Sequence, residues 1–176
     1  QNGKIDFVIN KKSCDFIAPL KPLKGFKPKI ITMDIETKVV DDVHVPIAAG
    51  LITTEFGFKL FTGFNLIEAA IKFLMDKKFA GHHVYLHNFA KFDSAFIVKV
   101  LIKLGRVEPV LRNGKIIFLE FFYKLDNQEY KIIFNDSYLI LPSSLRKLCD
   151  SFKISTKKYF FPFEFVNSLS TADYIG

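Results

Sequence analysis

The chain has 176 residues, of which 49% are hydrophobic and 24% are charged, and its net charge is +7. This composition suits one globular domain with an apolar core. No apolar run approaches the roughly 18 residues that span a bilayer, and we expect neither a membrane segment nor a secretory signal. The positive charge favours a polyanionic partner. Cys14 and Cys149 are far apart without metal-ligand spacing, which favours two reduced thiols.

A lysine-rich, proline-containing stretch precedes the first predicted strand, and we assign residues 1–28 to a basic N-terminal arm. Its lysines either are simply solvated or follow the phosphate groups of a nucleic acid. The apolar run over residues 29–36 predicts a buried strand. Residues 29–176 would then form the globular domain.

Two more strands are predicted next, over residues 44–54 and 56–64, with Gly57 at the turn between them. Asn65 is then predicted to cap an amphipathic helix. Glu68 stands three residues later, which completes a pattern that resembles a capping box.

The second half of the chain continues the alternation of strands and helices. Residues 82–86 predict a short strand, and residues 93–104 predict a helix that stops before a glycine. The pairs Asn113-Gly114 and Asp126-Asn127 predict turns between three further strands. A serine at 143 or 144 is predicted to cap a third helix. This order predicts an α/β domain with a mixed sheet.

Three carboxylates stand where a metal-dependent nuclease would need them. Asp34 and Glu36 lie two apart on the first strand, so their side chains share one face. Paired carboxylates are costly unless a cation lies between them. Asp93 begins the helix after a neighbouring strand, and three such groups can hold two metal ions. The alternatives are an exposed pair at a strand end and an aspartate that favours a helix N-terminus.

Three histidines also stand close together in the sequence, at 82, 83 and 87. They alternate along a strand, and no fourth ligand has matching spacing, which argues against a zinc site. We instead expect His87 at the rim of the carboxylate site.

Five segments in order resemble the 3′–5′ exonuclease domain of protein-primed family B DNA polymerases, the branch that includes phage and mitochondrial linear-plasmid enzymes. MDIET (33–37) resembles the first exonuclease motif and HNFAKFD (87–93) the second. NDSYLILPSSLRKL (135–148) resembles the stretch that follows, and KKYFFPF (157–163) resembles the later lysine motif. ADYIG (172–176) resembles the segment before the polymerase insertions.

The resemblance implies a ribonuclease H-like mixed sheet flanked by helices, with the 29–36 strand at its centre. It also implies two Mg²⁺ or Mn²⁺ ions roughly 3.5–4 Å apart. By motif position, the catalytic residues are Asp34, Glu36, Asp93 and Lys158, of which the three carboxylates bind the metal. The positions that contact the 3′ end of the single strand are Thr37, Asn88, Phe92, Ser137 and Tyr138.

These assignments have ordinary structural alternatives. Thr37 is also compatible with a plain strand residue, and Phe92 with a core aromatic. Ser137 and Tyr138 are also compatible with packing at a strand end, and Lys158 with a surface lysine. Aromatic side chains nevertheless suit unpaired bases, which offer a face for stacking.

The third exonuclease motif of the family, a tyrosine followed four residues later by aspartate, does not occur in the 176 residues. The resemblance therefore implies a domain truncated before this motif, with the fourth carboxylate beyond it. A site with three carboxylates should bind at least one ion weakly.

Two functions of different classes follow. The resemblance implies a proofreading exonuclease region that acts on a single-stranded DNA 3′ end during DNA replication, within a longer polymerase chain. The alternative is a domesticated, inactive fragment that binds RNA or DNA as a structural subunit, for instance of a mitochondrial ribonucleoprotein particle. The retained carboxylates favour the first function and the absent motif favours the second. The rich use of Phe, Ile and Lys is typical of A/T-rich organellar or plasmid genes, so we expect a mitochondrial location.

Overall fold

The structure, a computed structural model, describes residues 29–53, 55 and 57–154. The strands in this part of the chain are β1 Ile30–Val40, β2 Val43–Thr53, β3 Gly57–Thr62, β4 His83–Leu86, β5 Arg106–Arg112, β6 Lys115–Leu125 and β7 Gln128–Asp136. The α-helices are α1 Leu66–Leu74, α2 Ser94–Leu104 and α3 Leu145–Ser151, and single 3₁₀ turns cover Lys77–Phe79 and Ser137–Leu139. None of the described helices is long and apolar enough to cross a membrane.

All seven strands belong to one mixed sheet, in the order β3-β2-β1-β4-β7-β6-β5. β4 pairs in parallel with both β1 and β7, and the other neighbours are antiparallel. The parallel pairs require crossover connections, which α1 and α2 provide. The predicted α/β class, a ribonuclease H-like mixed sheet flanked by helices, is therefore confirmed. β1 lies in the interior of the sheet, between β2 and β4.

β1 separates an apolar face from a polar face. Ile31, Met33 and Ile35 are buried in a core cluster that also contains apolar residues of α1 and α2. Burial of each such side chain contributes about 1.5–3 kcal/mol. Because side chains alternate along a strand, the same packing directs Asp34 away from this core.

The predicted turns are confirmed. Asn65 stands at the predicted N-cap position of α1, but the predicted side-chain cap and capping box are wrong. Asn113 and Gly114 both have positive φ, as do Asp126 and Asn127, which matches tight hairpin turns between β5, β6 and β7. Asn65 precedes α1, but its backbone is left-handed and its side chain makes no capping hydrogen bond. An N-cap side chain normally reaches the helix from an extended backbone. Glu68 instead pairs with Lys72, one turn further along.

Candidate active site

β1 changes direction at the predicted metal ligands. Its register against β2 shifts between Glu36 and Thr37, so that one extra residue of β2, Ile47, lies in the bulge. Bulges bend a strand and re-aim its side chains, and they are frequent beside active sites. Asp34 is exposed and Glu36 is half-buried, both just before this bend.

Asp93 is a buried carboxylate of this region, and its pKa is strongly raised. It directly precedes α2, and only 4% of its surface is exposed. Burial, followed by the charges of Asp34, Asp136 and Glu36, raises the pKa of Asp93 to about 7, although a backbone hydrogen bond acts to lower it. Asp34 and Glu36, which the sequence singled out, and a further carboxylate, Asp136, therefore each lie near enough to Asp93 to raise its pKa.

Asp136 holds the loop that carries the second motif. Its Oδ1 accepts hydrogen bonds from the backbone N–H groups of Asn88 and Tyr138, each at 2.9 Å, and its Oδ2 accepts one from Ala90 at 3.0 Å. Asp136 is not among the site residues predicted from the sequence, although it stands in the 135–148 segment at the end of an apolar strand. The carboxylate thus ties the end of β7 to the loop before α2.

Asp136→Asn should destabilise the fold by about 1.5–3 kcal/mol, the usual contribution of a hydrogen bond to a charged group. An amide has only one accepting oxygen, so at least one backbone N–H would face a donor instead of an acceptor. Urea denaturation measures the change in the free energy of unfolding. Asp42→Asn, in the exposed β1–β2 turn where Asn tolerates the positive φ, is the matched control. Equal stability of the two variants would contradict this role.

Two of the predicted strand-contacting residues form one cluster with a histidine between them. The Thr37 hydroxyl and His44 Nδ1 are 3.1 Å apart, and the His44 ring meets Phe92 edge-on at 5.1 Å. Phe92 is half-buried, and its ring also meets Phe96 at 5.6 Å. Phe92 is therefore not a fully buried core aromatic. The sequence carried no signal for His44, which is brought here by the β1–β2 hairpin.

The other predicted contact residues lie where the parallel strands β4 and β7 end. The Ser137 hydroxyl donates to the Leu86 carbonyl at 3.2 Å and lies 3.1 Å from His87 Nδ1. His87 Nε2 is 2.9 Å from the Ser143 carbonyl, and its ring meets Tyr138 edge-on. Asn88 is half-buried with a positive φ. His87 thus joins the second motif to the end of β7.

An open pocket of about 450 Å³ adjoins these groups. Its wall includes Asp34, Tyr85, His87, Ser137 and Cys149, on the sheet face opposite the α1–α2 core. The pocket therefore connects a predicted metal ligand with a predicted strand contact. Lys158, the N-terminal arm and Cys14 lie outside the described residues.

The carboxylates match the oxygen ligands that Mg²⁺ and Mn²⁺ prefer. Within the described ranges, however, no three His, Cys, Asp or Glu side chains are already arranged to hold an ion. The three neighbouring histidines do not converge either: His82 is buried, His83 pairs with Asn135 at 3.3 Å, and His87 contacts the serines. The donor chemistry thus suits a divalent cation, while the histidines do not form a zinc site.

The fold and these residues define the class as a ribonuclease H-like domain with a carboxylate cluster at its central strand. The family model described as DNA polymerase type B, organellar and viral, matches residues 75–175. Probable DNA polymerases of Neurospora intermedia and Ascobolus immersus are each 35% identical to the whole chain. The chain therefore belongs to the type B DNA polymerase family. It spans 21% and 15% of the length of these two relatives.

Solved structures show the same fold. Phi29 DNA polymerase in an orthorhombic crystal form matches with a TM-score of 0.64 and 17% identity, over 82% of this chain and 26% of that one. Phi29 DNA polymerase complexed with single-stranded DNA matches with a TM-score of 0.61 and 18% identity, over 76% and 25%. These structural similarities show the fold. Together with the family match and the polymerase relatives, they do not favour the alternative of a structural subunit.

Proposed function

We propose that this region is a 3′–5′ exonuclease of a protein-primed type B DNA polymerase, which hydrolyses the 3′-terminal phosphodiester of a single DNA strand during replication. The observation that carries the proposal is the buried Asp93, whose pKa is raised by burial and by the charges of Asp34, Asp136 and Glu36. Clustered carboxylates of this kind are typical of divalent-cation sites. The Phi29 polymerase, which shares the fold, is described in a complex with single-stranded DNA.

In this proposal, Asp34, Glu36 and Asp93 hold two Mg²⁺ or Mn²⁺ ions. When bound, the ions would supply an activated water and stabilise the charge on the leaving 3′ oxygen. Thr37, with His44, and Phe92 position the terminal nucleotide.

The other proposed residues bind and neutralise the strand. Asn88, Ser137 and Tyr138 contact it on the side of β7, where the Tyr138 ring offers a face to a base. Lys158 offsets the negative charge that develops on the phosphate. All of these roles follow motif position, and the contacts of Ser137 and Tyr138 with His87 support them.

The test is release of nucleotides from a 3′-labelled single strand with Mg²⁺ or Mn²⁺, with EDTA as the control. The 176-residue chain should cleave slowly, because the family's site uses a fourth carboxylate from a Tyr-x-x-x-Asp motif that this sequence lacks. A longer chain that includes such a motif should cleave faster. Absence of cation-dependent release from both chains would overturn the proposal, and vigorous release by the 176-residue chain would contradict the need for the fourth carboxylate.

We also propose a mitochondrial location. It is supported by the rich use of Phe, Ile and Lys, which is typical of proteins from A/T-rich organellar or plasmid genes. Fractionation of the source cells, with detection of the chain by antibody, tests this. Recovery of the chain mainly in the cytosolic fraction would contradict it.

A further inference from the structure

A second open pocket, of about 520 Å³, lies next to the cluster of Thr37, His44 and Phe92, because its wall includes Phe96, which contacts Phe92. It is formed by the ends of β1 and β2, the loop before α1 and one face of α2. We call it the lysine pocket, and the residues of its wall that matter here are Lys38, Phe64, Glu68, Phe96, Lys99 and Lys103.

The lysine pocket carries an unbalanced positive charge. Lys38, Lys99 and Lys103 form no salt bridge within the described residues. Glu68 is the one acid among the described residues of the wall, and its carboxylate is already engaged by Lys72 at 2.6 Å. Three ammonium groups around one concavity repel each other and attract an anion.

The pocket also presents an aromatic ring to solvent. Phe64 is 90% exposed, in a loop where both neighbours, Gly63 and Asn65, have positive φ. A large apolar ring held in this way is poorly explained by packing, since it contacts no core. It is well suited to stacking against an unpaired base.

The lysine pocket adjoins the cluster of Thr37, His44 and Phe92. Lys38 follows Thr37 directly in the chain, and Phe96, which lines the pocket, contacts Phe92 at 5.6 Å. Phe92 in turn meets His44, the hydrogen-bonding partner of Thr37. A strand whose terminal nucleotide lies at Thr37 and Phe92 therefore has the pocket beside it.

We propose that the lysine pocket binds the single strand upstream of its 3′-terminal nucleotides, with phosphates at Lys38, Lys99 and Lys103 and a base on Phe64. This inference rests on the proposed exonuclease function, because it extends the same strand path. A docked segment from the rest of the polymerase is the competing occupant. The charge favours nucleic acid, since three lysines that form no salt bridge within the described residues, together with an exposed ring, match the alternating phosphates and bases of a single strand.

The test compares a short and a long strand on the same variants. Binding of a fluorescent oligothymidylate trinucleotide and decanucleotide to the 176-residue chain is measured by anisotropy in EDTA, at several salt concentrations. The variants are K99Q/K103Q and Phe64→Ala, whose side chains are exposed. K115Q/K124Q, with the same charge change on exposed positions of β6, is the matched control.

For the decanucleotide, K99Q/K103Q should reduce the slope of log affinity against log salt by about 1.4, since each lost phosphate contact on a single strand contributes about 0.7. Phe64→Ala should weaken decanucleotide binding roughly tenfold. The trinucleotide, which would occupy only the site at Thr37 and Phe92, should bind K99Q/K103Q and Phe64→Ala as it binds the unaltered chain, whereas Phe92→Ala should weaken its binding. The control should behave as the unaltered chain does with both strands.

Each outcome separates this proposal from the function it rests on. If the decanucleotide binds K99Q/K103Q and Phe64→Ala as tightly as the control, the strand does not use the lysine pocket and this proposal is overturned. Phe92→Ala could leave trinucleotide binding unchanged while K99Q/K103Q still weakens decanucleotide binding. This result would support the lysine pocket and contradict the proposed site of the terminal nucleotide at Thr37 and Phe92. Failure of both strands to bind overturns both.

Discussion

Asp93→Asn should lower cation-dependent nucleotide release about 1000-fold, in whichever chain length shows cleavage. The substitution keeps the size of the side chain but removes one charged ligand, and metal-ion catalysis contributes several kcal/mol, where each 1.36 kcal/mol is a factor of ten in rate. Asp34→Asn should have an effect of the same order, because both carboxylates belong to the proposed cation site. The measurement is the single-turnover rate of release from a 3′-labelled strand at saturating Mg²⁺ or Mn²⁺.

Asp42→Asn again provides the control, since it removes a carboxylate from the exposed β1–β2 turn without touching the cluster. Thermal unfolding in EDTA establishes that each variant is folded, so that loss of cleavage is not loss of structure. Cleavage by Asp93→Asn at a rate close to that of the control would show that Asp93 is not a ligand of the catalytic cation.

Without a divalent cation, the domain should lose stability as the pH rises from about 4 to about 7, through the titration of Asp93. The pKa of this carboxyl is raised from 3.8 to about 7 in the folded protein, first by burial and then by the charge of Asp34. Between these two values the folded state binds more protons than the unfolded state. The contribution of the Asp93 carboxyl to stability is therefore complete below its pKa in the unfolded state, and it is lost as the pH rises through its pKa in the folded state.

Asp93→Asn removes this titration, so the difference in melting temperature between the variant and the unaltered chain isolates it from other groups. In EDTA at about pH 8 the variant should melt at least about 3 °C higher, the shift that about 1 kcal/mol produces in a domain of this size. At about pH 4 the difference should vanish, because the native carboxyl is then neutral. A difference in melting temperature that stays constant over this range would contradict the raised pKa.

A divalent cation should reverse the order of the two melting temperatures at high pH, so that the unaltered chain melts above Asp93→Asn. The cation binds the ionised carboxylate, so Mg²⁺ or Mn²⁺ should stabilise the unaltered chain more at about pH 8 than at about pH 5. The amide introduced by Asp93→Asn carries no charge, and the cation should stabilise this variant little at either pH. Equal stabilisation of both proteins would place the cation elsewhere.

Local patterns in the sequence determined the elements and the main carboxylates. The apolar run predicts the strand over residues 29–36. The pairing of Asp34 and Glu36 on one face follows because side chains alternate on a strand. Asn113-Gly114 and Asp126-Asn127 specified their turns because both residues of each pair adopt a positive φ. These features depend on neighbours within a few residues, which is why periodicity and turn chemistry were sufficient.

A short sequence pattern does not determine the local structure when it is compatible with two conformations. Asn65 and Glu68 have the spacing of a capping box, but the left-handed backbone of Asn65 and the Glu68–Lys72 pair exclude one. The pattern describes which residues can cap a helix, whereas the entry angle of the chain from β3 decides whether they do.

The assembled site was decided only by the tertiary structure. Asp136 bonds the backbone of Asn88 from 48 positions away, and His44 reaches Phe92 across the end of the β1–β2 hairpin. The lysine pocket likewise takes Lys38 from β1 and Lys103 from α2. The parallel pairing of β4 with β1 and β7 brings the carboxyl ends of these three strands to the same side of the sheet, where Asp136 meets Asn88. Such contacts depend on long-range packing, which leaves no local pattern in the sequence, so the sequence determined the chemical groups and the fold determined which of them meet.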